Sequence, residues 1–300
     1  QFDWAFDWRD ERIRRVFRLI VPVALGLGLI NFNALVNTLL AGQISDAAVA
    51  AIDKAFRLYM LPQGMFSVAV ATVVFPTLAR FAARRAFDDL RSTVANGMRM
   101  ILLVLVPAAA AIFVLSEPMV RLVYQRGDFS AADTDLVATA LFWFAFSLPF
   151  NGLFLLLTRT FFSLQRPWVP TAISALNLVV TAGVSAALYK PFGVAGIVSA
   201  TALATFASVI AQMVVLREQL GGIELGSLLD GAVRITAASL VLAAVSWGAW
   251  DVLDGAVGRG TIGQIISLGV ALTVGAAVYL GAVLALRVPE AKQLLGVLRR

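Results

Sequence analysis

The 300 residues are 60% hydrophobic and only 14% charged, with a formal net charge of +6, whereas a soluble domain carries about 25% charged residues. The absence of cysteine and histidine excludes disulfide frameworks, thiol nucleophiles, histidine bases and nearly every transition-metal site. The composition predicts an all-α, polytopic membrane protein that works through shape, hydrogen bonding and fixed charge, without metal or cofactor.

The chain opens Gln1-Phe2-Asp3, with neither a methionine nor the basic-then-apolar pattern of a signal peptide, and this predicts a piece of a longer protein. Residues 7–18 alternate charge with Trp8, Ile13, Val16 and Phe17. That pattern suits an amphipathic helix on the inner membrane surface, or a plain basic anchor before the first span. Residues 1–16 are read as a cytoplasmic amphipathic linker.

A bilayer core requires about 20 apolar residues per helix, and eight such runs are predicted at 17–40, 52–78, 98–116, 134–157, 169–189, 194–216, 234–253 and 262–286. With the first segment placed in the cytoplasm, eighteen basic residues fall on that side, from Arg9 through Arg80, Arg84, Arg85, Arg91, Arg159 and Arg166 to Arg300. Only Arg121, Arg126, Lys190 and Arg259 fall on the other. The positive-inside rule then places both termini in the cytoplasm. Lys54 and Arg57 are the two basic residues left over, and they lie inside a span.

Glu117, Asp128, Asp133, Asp135, Asp251 and Asp254 fall in outer loops and read as solvated loop charge. Small residues such as Gly26, Gly28, Gly193 and Gly196 read as helix-packing positions, since no glycine-rich loop here follows a strand. The pair Asp88-Asp89 could hold a magnesium ion, but acidic residues at a helix start more simply complement its dipole.

The stretch Ala51 to Leu78 concentrates the unusual features. On a helix, Asp53 and Lys54 precede Arg57 by four and three residues and share a face with it. Either Asp53 and Arg57 form a snorkelling ion pair at the interface, or a basic face lines a watery cavity for an anion. Pro62 and Gly64 follow, a pairing that predicts a helix bend of the kind found in rocking transporters.

The run Ala55 to Arg80, A-F-R-L-Y-M-L-P-Q-G-M-F-S-V-A-V-A-T-V-V-F-P-T-L-A-R, resembles the central signature of the MurJ (MviN) lipid II flippases of the multidrug/oligosaccharidyl-lipid/polysaccharide exporter superfamily. The resemblance continues through V-Y-Q-R-G-D-F-S at 123–130, F-F-S-L-Q-R-P-W-V-P at 161–170 and the region 177–196.

The resemblance implies the second half of a fourteen-helix, two-lobe transporter that moves undecaprenyl-pyrophosphate-linked peptidoglycan precursor (lipid II) across the bacterial inner membrane by alternating access. Residues 17–220 would form the six-helix second lobe, and 221–300 two additional helices with a short cytoplasmic tail. An N-terminal six-helix lobe would be missing. Arg57 matches the family's cavity arginine and would meet the pyrophosphate, with Lys54 a neighbour by spacing only. The last two helices resemble a pair that forms a lipid-exposed groove for the prenyl tail. The expected partners are lipid II, membrane lipids and that first lobe, with no nucleic acid.

Some members bind sodium within this lobe using carboxylates. The matching positions are Asn37, Thr181 and Thr201, with Asn177 retained, and neutral oxygens alone hold a hard cation weakly. Met60 stands where some members carry a glutamate. An exporter of polysaccharide-lipid or of drugs from the same superfamily is the alternative function, although a drug exporter calls for cavity carboxylates. A membrane enzyme would need clustered acids or histidines, so a non-enzymatic transporter is expected.

Overall fold

The computed structural model describes residues 11–222, 225–258, 260–286 and 288. Residues 1–10, Arg259, Arg287 and the C-terminal tail, to which the sequence reading assigned linker and basic-loop roles, lie outside the described residues.

The described chain is helical, with no strand among its elements. In chain order α1 spans Glu11–Gly42, α2 Asp46–Pro62, α3 Val68–Ala83, α4 Phe87–Tyr124, α5 Ala131–Ser163, α6 Trp168–Leu220, α7 Leu225–Val257 and α8 Thr261–Ala285. A π-helical segment, Gln63–Ser67, joins α2 to α3 without a break. α1 begins at Glu11 and passes through position 17 uninterrupted.

Among the described residues, seven helical stretches are long and apolar enough to cross a membrane, one fewer than the eight expected runs. α6 accounts for the difference. Its 53 residues would reach about 80 Å if straight, far beyond a hydrocarbon core of about 30 Å. At Gly193 the backbone takes φ 57° and ψ −133°, open only to a residue without a side chain. The Ser185 hydroxyl consequently lies 3.5 Å from the Ile197 carbonyl, although twelve residues of straight helix span about 18 Å. α6 is therefore a hairpin whose arms, 168–192 and 194–220, are the predicted fifth and sixth spans.

α8 matches its predicted span, while α1, α2–α3, α4, α5 and α7 outrun theirs by about two to five turns, because apolar runs mark the lipid-buried part and not the helix ends. Local chemistry sets those ends. Ser130 and Asp133 form a capping box at the start of α5, and Ser45 caps α2 by accepting from the Ala48 N–H. α4 bends at Leu115 (φ −111°, ψ 16°), three residues before Pro118, where the proline ring displaces the preceding turn.

The core lies where α4, α5 and α6 meet, around Met98, Leu105, Leu141, Leu156, Phe161 and Ile197, all fully buried. α7 and α8 pair with each other and rest against the outside of α4. Polar ties fasten them there: Arg99 donates to Ser227 (2.8 Å), Tyr279 donates to the Leu103 carbonyl (2.5 Å), and Arg121 faces Asp254 (3.5 Å). Arg234 closes the pair by donating to the Leu286 carbonyl at 3.1 Å. The opposite side is open. Only 6% of the apolar stretch of α1 and 17% of that in α2–α3 is enclosed, against 50% or more in α4, α5 and α6.

Gly193→Val should lower the thermal midpoint in detergent, with a strain cost of about 1–3 kcal/mol, while Gly269→Ala, where an added methyl meets nothing within 4 Å, should not. Cysteines introduced at Asp88, in the first turn of α4, and at Asp128, past its last turn, should react with an impermeant thiol reagent from opposite sides of the membrane. Labelling of both from one side would refute this topology.

Candidate functional site

α2, the π segment and α3 together form the span that carries the unplaced charges. Pro62 supplies no N–H, and its ring crowds the carbonyl one turn back. The chain accommodates this with five π-helical residues containing Gly64, a distortion common at functional sites. The last of them, Ser67, is fully buried, and its hydroxyl has no hydrogen-bond partner. α5 receives it at Gly152. A methyl group there would meet the Ser67 hydroxyl at 3.1 Å and the Ile101 side chain at 2.7 Å. The glycine is thus what lets the widened turn sit against α4 and α5.

Arg57 lies on α2 and is 72% exposed, on the open side of the bundle. Its Nε and one Nη both reach the same Asp53 oxygen, at 3.0 and 2.9 Å. Counted along the 38 residues from Asp46 to Ala83, it lies roughly 11 Å from the middle of the span. Asp53 and Arg57 share a face as the spacing predicts. Lys54 does not join them. It turns toward the loop between α4 and α5, where its ammonium rests 4.4 Å from the Phe129 ring centroid and 6.0 Å from that of Tyr124. Tyr124 in turn donates to the Lys54 carbonyl at 3.2 Å. Asp128 and Asp133 join Lys54 and Phe129 in lining a pocket of about 270 Å³.

Below Arg57 the same helix becomes apolar. Leu58, Leu61 and Pro62 face Ala111 and Ile112 of α4, Leu141 of α5, and Leu268 and Leu272 of α8 across a pocket of about 370 Å³. All of its lining residues are apolar. It stands where α2, α4 and α5 meet α8.

The residues expected near a cation form a polar seam between α1 and the hairpin of α6. Asn37 donates to Thr201 (3.2 Å), Asn33 donates to Asn177 (2.9 Å), and Asn177 donates to Ser208 (2.9 Å). Thr181 is buried with its hydroxyl unpartnered, as are the side-chain carbonyl oxygens of Asn33 and Asn37. Of the four expected residues only Asn37 and Thr201 pair with each other, Asn177 bonds instead to Asn33 and Ser208, and the Thr181 hydroxyl stands apart. All donors are amides and hydroxyls, and neither α1 beyond Glu11 nor α6 before Glu218 carries a carboxylate. This set suits water or a weakly held cation and does not fit a tight site for a hard ion.

Asp88 pairs with Arg91 at 3.0 Å in the first turn of α4. No group of three or more metal-ligating side chains occurs among the described residues.

Three participants escaped the sequence reading. Asn33 was detectable, since it precedes Asn37 by one helical turn on the same face. Phe129 gives no linear signal of its contact with Lys54. Asp254 reads as loop charge, yet it is only 8% exposed and faces Arg121, which also pairs with Glu117 at 2.6 Å.

The family model for lipid II flippase MurJ matches residues 1–276. A probable lipid II flippase MurJ of Bdellovibrio bacteriovorus is 27% identical over 274 residues, which cover 91% of this chain and 52% of that protein. The Haemophilus influenzae counterpart is 32% identical over 206 residues, covering 67% and 40%. The chain therefore spans about half the length, or less, of these relatives. Among solved structures, lipid II flippase MurJ in an inward closed conformation superposes with a TM-score of 0.74 at 18% identity, over 97% of this chain and 57% of that one. A MOP superfamily transporter from Pyrococcus furiosus gives 0.63 at 14% identity, over 94% and 67%. With a family match across nearly its whole length and a fold shared with a solved MurJ, this multi-pass membrane chain belongs to the MurJ lipid II flippase family.

Proposed function

We propose that this chain is the C-terminal part of a lipid II flippase, moving a lipid-linked, pyrophosphate-bearing peptidoglycan precursor across the bacterial inner membrane. One observation carries the reading: an exposed arginine stands one turn from a wholly apolar pocket on the same helix. An anionic headgroup joined to a long hydrocarbon chain needs that juxtaposition. Arg57 suits the pyrophosphate because its guanidinium stays charged and offers forked donors to phosphate oxygens. The apolar pocket between α2, α4, α5 and α8 would take part of the prenyl tail, so α7 and α8 serve as a tail-binding addition to the six-helix lobe. Lys54, resting on Phe129, adds positive potential one turn away and ties the middle of α2 to the loop between α4 and α5.

The open side of α1, α2 and α3 is where a preceding six-helix lobe would stand, and the fraction of the relatives' length that this chain spans supports that reading. Transport would then proceed by rocking of two lobes about a shared cavity. The density of arginines at the Asp88 end of α4 supports placing that side, and both termini, in the cytoplasm.

In the full-length protein, Arg57→Ala should reduce transport by about tenfold or more, the effect of losing charge-assisted hydrogen bonds worth about 1.5–3 kcal/mol. Arg57→Lys should recover only part of that, because a lysine supplies the charge without the fork. The measurement is complementation of a flippase-depleted strain at matched membrane abundance, and normal growth with Arg57→Ala would reject the assignment. The 300-residue chain alone should enter the membrane but place no precursor in the outer leaflet, as read by enzymatic cleavage of exposed precursor. Robust cleavage would show that these helices already contain a complete site.

A further inference from the structure

The geometry around Asp53 extends the reading of Arg57 as a phosphate contact, and rests on it. Both the Nε and an Nη of Arg57 converge on one oxygen of Asp53. That edge of the guanidinium is the fork that grips two oxygens of a phosphate, and two anions cannot occupy it together. We propose that Asp53 is a built-in counterion of Arg57, displaced by the anionic headgroup on binding and restored to the arginine on release. Asp53 thereby sets how tightly, and for how long, the headgroup is held.

Three features support the exchange. Both side chains are open to an incoming group, at 72% and 58% exposure, so displacement requires no unfolding of α2. Exposed ion pairs of this spacing are weak, so a pyrophosphate of higher charge competes well. Lys54, the other cation within a turn, is turned to Phe129, which leaves Arg57 as the cation that Asp53 meets. After displacement the carboxylate stays tethered one turn away. It repels the bound phosphate and can return by a simple rotamer change, on the picosecond-to-nanosecond scale of exposed side chains. Without such a competitor, an arginine that binds pyrophosphate well would also release it slowly.

The test is equilibrium binding and dissociation of farnesyl pyrophosphate, with farnesol as the uncharged comparison, on the purified chain in nanodiscs at low ionic strength. Asp53→Asn should tighten binding about tenfold, the order expected when a like charge a few ångströms from a phosphate is removed near a protein surface. It should also slow dissociation and leave farnesol unaffected. Arg57→Ala should weaken pyrophosphate binding, and in that background Asp53→Asn should tighten it clearly less than in the unmodified chain, since only the direct repulsion and not the competition for the guanidinium remains to be relieved. If Arg57→Ala weakens binding while Asp53→Asn leaves it unchanged or weaker, the counterion inference is overturned and the arginine reading stands. If Arg57→Ala has no effect, both are overturned; if Asp53→Asn tightens binding equally without Arg57, the counterion inference alone falls. A failure of Asp53→Asn to bind better than the unmodified chain, including the case where neither binds measurably, also overturns the inference.

Discussion

In hydrocarbon no water is at hand to satisfy a peptide group, so every N–H and C=O must be paired within the protein. That constraint makes helices the only spanning element available to a single-chain bundle of this kind, and three of the prolines within them coincide with a departure from regular α-helix. Pro62 is answered by a π segment, Pro118 by a bend three residues earlier, and Pro191 is followed within two residues by the reversal at Gly193. The first of these places the distortion six residues beyond Arg57, at the far end of the apolar part of the same helix. The last turns a helix of about 80 Å into two antiparallel arms against which α1 is laid.

The same need explains where the charges ended up. Arg91 donates to the carbonyl of Leu220 at the end of α6, and Arg234 to that of Leu286 just past α8. Both close the ends of helices where carbonyls lack intrahelical partners. These arginines follow the positive-inside pattern, and they also serve as caps that join one helix to another. Arg57 belongs to neither group, since its nearest partner is a carboxylate on its own helix. It therefore remains exchangeable, while the capping arginines are tied into the fold.

Much of the architecture was legible because membrane spans are written as continuous apolar runs. The hairpin of α6 could be read as two spans since Lys190, Pro191 and Gly193 interrupt its hydrophobicity. What escaped was mostly tertiary. The sequence presents Lys54 and Arg57 as equal members of a basic face, and only the position of Phe129, seventy-five residues beyond Lys54, separates them. Asp254 looks like loop charge until the packing of α7 against α4 encloses it beside Arg121. Amide and hydroxyl positions on α1 and α6 could be listed from family resemblance, but their pairing as Asn37 with Thr201 and Asn177 with Asn33 depends on helix register.

The π segment gives one stretch of the chain an unusual grammar of insertion and deletion. A π turn holds one more residue than an α turn, and each helical residue corresponds to about 100° of rotation and 1.5 Å of rise. Losing a single residue from 63–67 would turn the widened turn into an ordinary α turn and leave Arg57 on nearly the same face, whereas losing one from the regular helix between Arg57 and Pro62 would swing Arg57 by about a quarter turn. In most loops a one-residue change is absorbed as slack. In that regular stretch it would act as a key turning in a lock, with the headgroup contact carried off the open side, while the π turn next to it has a residue to spare.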